Sequence, residues 1–186
     1  LTMVAEILRS WFGARSRRLL EPLAELIRVA ESLNDVQAAF EHQLERHRLL
    51  EAADGDAEEL FNSRISLLPI RGRLGQMEEL LQEAASCEQE LMGFKSHAAS
   101  EFVRVLLLAA NRADGLHWRS DVASVLLETA LRVLPENEVS LGCQVRIALA
   151  ECQFRKDYRS QARRVRDEAI KKAGSLDADA RAEMLY

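Results

Sequence analysis

Apolar residues recur every three or four positions along most of this chain, which is the spacing of one face of an α-helix. Short polar, glycine or proline segments interrupt this spacing, and the two-residue alternation of a half-buried strand is not sustained anywhere. The pattern predicts helices over about 3–13, 16–32, 35–53, 57–68, 76–92, 96–111, 121–134, 141–155 and 160–173, with a truncated one from Asp177.

Three interruptions between the predicted helices are expected to be turns or loops. Pro69, Gly72 and Gly75 lie within seven residues and indicate a bend, and the Ala-Asp-Gly sequence at 113–115 is typical of a turn. A third break is expected at 93–94. The helix over 96–111 is apolar around much of its circumference, so we expect it at the centre of the core.

Small side chains recur at matching places in two of the predicted helices. Ala162 follows Ala123 by 39 residues, and Ala169 follows Ala130 by the same distance, with the large Leu127 between the first pair. A small residue repeated at one place on a helix marks where another helix backbone comes close. A fixed period of this size is typical of stacked helix pairs, so we expect these residues to form helix–helix contacts.

Composition supports a helical fold. The chain has 186 residues, of which 48% are hydrophobic and 30% charged, with only 8 glycines and 3 prolines. Abundant Ala, Leu, Glu and Arg favour helix over strand. We therefore predict an all-α fold with diverged helix pairs over 1–95 and repeat-like pairs over 96–186, forming one continuous array. The chain ends within a helical pattern, so we expect an excised fragment of a longer protein.

The residues that carry chemistry are few. Cys87, Cys143 and Cys152 form no CxxC pair and are interpreted as reduced, partly buried thiols of a cytoplasmic or nuclear protein. His42 and His47 lie five residues apart, whereas a helical metal pair needs four. We recognise no nucleophile with a base and no phosphate-binding loop. The sequence predicts no enzyme, no cofactor, no metal site and no membrane span.

The C-terminal half resembles tetratricopeptide (TPR) repeats over about 99–174. In that family a first helix ends with a small residue, a short turn contains a tyrosine, and a second helix carries small, large and small residues before a proline. The residues that follow this order are Ala123, Leu127, Ala130, Pro135, Ala150, Tyr158, Ala162, Ala169 and Gly174. Arg166 departs from it, because a large apolar residue is usual there, and the period is 39 residues rather than about 34.

This resemblance implies antiparallel helix pairs stacked as a right-handed superhelix; an irregular helical bundle is the alternative. In the family, the first helix of each pair lines a concave groove that receives a peptide or a partner helix. Partner-binding residues are then expected at Arg104, Asn111, Gln144, Glu151 and Arg155. For each of these, the alternative is an ordinary solvated polar side chain.

The segment 155–172 is basic, with eight Lys and Arg residues against three acidic ones in a chain whose net charge is −5. Arg159, Arg163 and Arg166 share one helix face and could reach an acidic partner or a phosphate backbone, or could simply be solvated. We predict a non-catalytic scaffold or adaptor that binds a peptide or helix of another protein within a larger complex. The alternatives are a dimerisation or assembly module and weak nucleic-acid contact through 155–172.

Overall fold

The computed structural model of the chain describes residues 2–53, 55–91, 96–156 and 158–174. These residues are helical apart from short connections, and no strand occurs among them, so the predicted all-α class is confirmed. The predicted break at 93–94 and the predicted helix from Asp177 lie outside the described residues. The helices are α1 Thr2–Phe12, α2 Leu20–Ser32, α3 Val36–Ala52, α4 Ala57–Ile65, α5 Leu67–Leu74, α6 Met77–Leu91, α7 Ser96–His117, α8 Ser120–Val133, α9 Val139–Arg155 and α10 Arg159–Ala173.

Polar side chains begin several of these helices. The Asp35 carboxylate accepts a hydrogen bond from the backbone N–H of Ala38 at 3.1 Å, and Asp56 accepts one from the N–H of Glu58 at 3.2 Å. Ser16 caps a 3-10 turn that leads into α2. Each cap satisfies a backbone donor that has no partner inside its own helix, which explains why these helices begin where they do.

The bend predicted at Pro69 is wrong, because these residues form α5. Pro69 is the third residue of the helix, and a proline there costs no hydrogen bond since the first N–H groups of a helix have no internal partner. Gly75, at φ 75°, then ends the helix. Gly72 lies where α5 meets α7, and an added Cβ would stand 3.1 Å from the carbonyl oxygen of Ala109.

The turn predicted at 113–115 is also wrong, because α7 continues through it to His117. The next residue, Trp118, has a φ of 54° and stops the helix. The N–H of Arg119 then donates back to the carbonyl of Ala113 at 3.2 Å. Asp114 is buried rather than solvated. Its side chain has partners on neighbouring helices, and these contacts keep this residue inside the helix despite its preference for turns.

Successive helices in the C-terminal half pack against one another. α7 contacts α8, α9 contacts both α7 and α8, and α10 contacts α9. The Ser100 hydroxyl donates to Glu138 at 2.9 Å near the starts of α7 and α9, and the Cys152 thiol lies 3.9 Å from Asp114 near their ends. Both contacts join residues 38 positions apart, so α7 and α9 run parallel to each other.

The main hydrophobic core extends from Phe61 to Val165 and therefore includes residues from both of the predicted segments, 1–95 and 96–186. A smaller cluster of Ala5, Leu19, Leu23, Leu26 and Leu49 lies at the N-terminal end. None of the described helices combines the length and the apolar run needed to cross a bilayer. The residues predicted at helix–helix contacts are all buried: Ala123, Leu127, Ala130, Ala150, Ala162 and Ala169.

Candidate interaction groove

A groove of about 590 Å³ lies between α9 and α10. Its floor is apolar and its rim is basic. Two small buried residues line the groove, Ala150 of α9 and Ala162 of α10. The floor consists of Ile147, Ala150, Phe154 and Ala162, and the rim arginines are Arg155, Arg159, Arg163 and Arg166, with Glu151 beside them.

Apolar surface is open to solvent in this groove. The side chain of Phe154 is 62% exposed, and Ile147 is also exposed. The guanidinium of Arg159 lies over the Phe154 ring, 5.9 Å from its centroid, at a distance where the cation is attracted to the ring face. Exposed aromatic and arginine side chains in one concave surface are the residue types that contribute most to protein–protein binding.

The rim arginines differ in their ion pairs with other residues. Arg155 forms an ion pair with the buried Asp114 and approaches Glu151 at 3.9 Å. Arg166 pairs with its neighbour Asp167 at 2.9 Å. Arg163 forms no hydrogen bond or ion pair with another residue that the structure describes. A ligand carboxylate could therefore reach the Arg163 guanidinium, which no described residue neutralises.

No family model matches this chain. A search of curated proteins likewise finds no match. The function is therefore inferred from the geometry of the described residues alone, with no activity transferred from a relative.

Five of the eight residues predicted to bind a partner line the groove. Two residues near the end of α9 and three of α10 come together there: Glu151, Arg155, Arg159, Arg163 and Arg166. The other three, Arg104, Asn111 and Gln144, are not among its lining residues. Arg104 and Asn111 are exposed on α7, where Arg104 lies 3.4 Å from Glu101, and Gln144 is half-buried on α9.

Asp114, Ile147 and Phe154 belong to the groove or its support, and the sequence did not point to them. The two apolar residues are indistinguishable by type from the core residues of α9, since this helix carries apolar side chains on more than one face. The signal in the sequence is that α9 carries more apolar residues than one buried face needs, so some of them must be exposed. The sequence pattern places Asp114 in a turn, because aspartate is frequent in turns.

A second charged cluster holds α4 against α6. The Arg64 guanidinium binds the carboxylates of Glu83 and Glu90 and donates to the Ser86 hydroxyl at 3.0 Å. Burial lowers the pKa of Arg64, but the two carboxylates outweigh it and raise that pKa overall. These groups satisfy one another, so we interpret the cluster as structural.

The three cysteines and His42 are buried. Cys87, Cys143 and Cys152 are free thiols, and burial raises the pKa of each. Burial also lowers the pKa of His42, which favours its neutral form. Among the described residues, no three His, Cys, Asp or Glu side chains come close enough together to hold a metal ion.

Proposed function

We propose that this chain is a non-catalytic scaffold that binds a peptide or helix of a partner protein in the groove between α9 and α10. The observation that carries the proposal is the exposed Phe154 ring flanked by the rim arginines. Burying this ring under a partner would release water from apolar surface, and the arginines would set the orientation through charged hydrogen bonds.

We further propose that the helix pairs are stacked in the TPR-like manner. Two observations support this: the contacts 38 residues apart, which make α7 and α9 parallel, and the buried small residues on α8 and α10. The free thiols support a reducing compartment such as the cytoplasm or nucleus. An irregular helical bundle would not require contacts between residues that are a constant number of positions apart along the chain.

Photo-crosslinking tests the scaffold function. Phe154 is replaced with a photoreactive benzoylphenylalanine in the full chain, which is then irradiated in extracts of its native source. The matched control carries the same group at Val125, an exposed residue of α8. We expect discrete crosslinked partners from position 154 that excess unlabelled protein removes. Equal or absent crosslinking from the two positions would contradict the proposal.

A second candidate, an assembly module, is favoured by an exposed apolar stripe on α1. The α1 stripe consists of Met3, Val4, Ile7 and Trp11, and Trp11 is 75% exposed. If it pairs two copies, replacing Ile7 and Trp11 with serine should convert a dimer to a monomer in light scattering. A wild-type chain that is already monomeric at high concentration would eliminate this candidate.

A further inference from the structure

We propose that the groove receives an acidic, amphipathic helix of a partner protein, which lies on α10 as α9 lies on α8. This inference rests on the proposed function, since it names the chemistry of the partner. Two observations carry it: the burial of two residues of α8, and the exposure and positive charge of the residues at the matching positions of α10.

One side of α8 is covered by α9. Ser124 and Leu127 of α8 are both buried. Leu134, directly after α8, meets α9 at Gly142, where an added Cβ would stand 2.6 Å from the Leu134 side chain. The pair formed by α7 and α8 is thus completed by a third helix that packs along it.

The corresponding side of α10 is open in the described part of the chain. The 39-residue period places Arg163 at the position of Ser124 and Arg166 at the position of Leu127. Both arginines are exposed and line the groove. Two positions that are buried in one helix pair are therefore exposed and positively charged in the next.

Charge determines which helix can cover this side. The groove lining contains four arginines and one glutamate, Glu151. A purely apolar helix would desolvate guanidinium groups without offering acceptors, and a basic helix would be repelled. A helix with an apolar stripe could cover Ile147 and Phe154, while flanking Asp or Glu residues accept hydrogen bonds from Arg163 and Arg166.

A peptide selection against the full chain tests this inference. A display library of helical peptides as long as α9, 17 residues, is selected for binding, and affinities are measured by fluorescence anisotropy. We expect the selected peptides to carry net negative charge beside an apolar stripe. Replacing Arg163 and Arg166 together with glutamate should weaken their binding at least about tenfold, and Phe154→Ala should also weaken it.

The matched control replaces Arg18 and Arg28, two exposed arginines at the N-terminal end, with glutamate. It changes the net charge equally and should leave the affinity unchanged. Neutral or basic peptides that still lose binding in Phe154→Ala would overturn the acidic-helix inference and leave the proposed function standing. If the selection yields no binder, or only binders whose affinity no groove substitution changes, both the acidic-helix inference and the proposed function fail.

The segment 175–186 has three acidic residues and one arginine, so the experiment must also test whether it competes with the peptide. Asp177→Asn, Asp179→Asn and Glu183→Gln are therefore introduced together. An unchanged peptide affinity supports a partner molecule. A gain of about tenfold or more would show that this segment competes for the groove, and would overturn its assignment to a partner.

Discussion

At the scale of single residues, Asp114 connects three helices. Its carboxylate accepts a hydrogen bond from the Ser120 hydroxyl at the start of α8, pairs with Arg155 at the end of α9, and lies 3.9 Å from the Cys152 thiol. Because Arg155 is a rim arginine, this buried carboxylate helps to position one wall of the groove without lining it.

We expect Asp114→Ala to destabilise the protein by about 1–3 kcal/mol, since the Ser120 hydroxyl and Arg155 lose their acceptor and a cavity remains. Urea denaturation measures the change. Asp167→Ala is the control, because the pair between Asp167 and Arg166 is exposed, and it should cost less than about 0.5 kcal/mol. Equal losses in the two variants would mean that Asp114 has no special role.

Cys87 should make stability depend on pH in the alkaline range. Burial raises the pKa of its thiol from 9.0 to about 12. Between these values the folded protein keeps the proton that the unfolded chain loses, so unfolding becomes more favourable as pH rises. From about pH 8 to 10, the free energy of unfolding should fall by roughly 1 kcal/mol more in wild type than in Cys87→Ala.

Chemical denaturation at several pH values tests this dependence. The difference between wild type and Cys87→Ala should be constant from about pH 6 to 8, where the thiol is protonated in both the folded and the unfolded state. Parallel stability curves up to pH 10 would show that Cys87 titrates normally in the folded protein.

At the scale of helices, α8 and α10 differ in how much of their surface is covered. α8 contacts α6, α7 and α9, whereas the main contact of α10 is α9. Each helix carries a buried alanine at the matching position, Ala130 in α8 and Ala169 in α10. The same small-residue pattern thus serves one helix that is enclosed on several sides and another that leaves a groove.

Ala130→Phe should destabilise the protein by about 1–3 kcal/mol, because the added ring has no space between closely packed backbones. For a chain of this size the melting temperature should fall by about 2–4 °C for each kcal/mol. Val125→Phe is the control on the exposed side of α8. If Ala130→Phe and Val125→Phe had the same melting temperature, Ala130 would not mark a close helix contact.

At the scale of the whole molecule, the two hydrophobic clusters differ greatly in size. The main cluster joins residues from α4 to α10. Among the residues that the structure describes, the N-terminal cluster contains five buried ones, of which Ala5 alone belongs to α1. Because stability against local opening follows the number of buried apolar contacts, α1 should open more readily than the central helices.

Hydrogen exchange followed by mass spectrometry tests this difference. Amides of α7 and α8 should exchange last, close to the rate of global unfolding, and those of α1 should exchange at least about tenfold faster. Equal protection would mean that α1 is part of the same cooperative unit. A partner that covers the α1 stripe would protect α1 selectively, which separates the assembly candidate from binding in the groove.

The sequence by itself determined the helical class, most helix positions and the small residues at helix contacts. These features are local, because caps and apolar spacing act within a few residues. The positions of Ala130 and Ala169 within their helices can be seen in the sequence for the same reason. Only the tertiary structure decided that 67–74 is helical and that α7 extends to His117, since contacts with neighbouring helices outweigh the local preferences of glycine and aspartate. It also gathered Phe154 and the rim arginines into one groove, because residues that are separated along the chain become neighbours only when α9 and α10 pack.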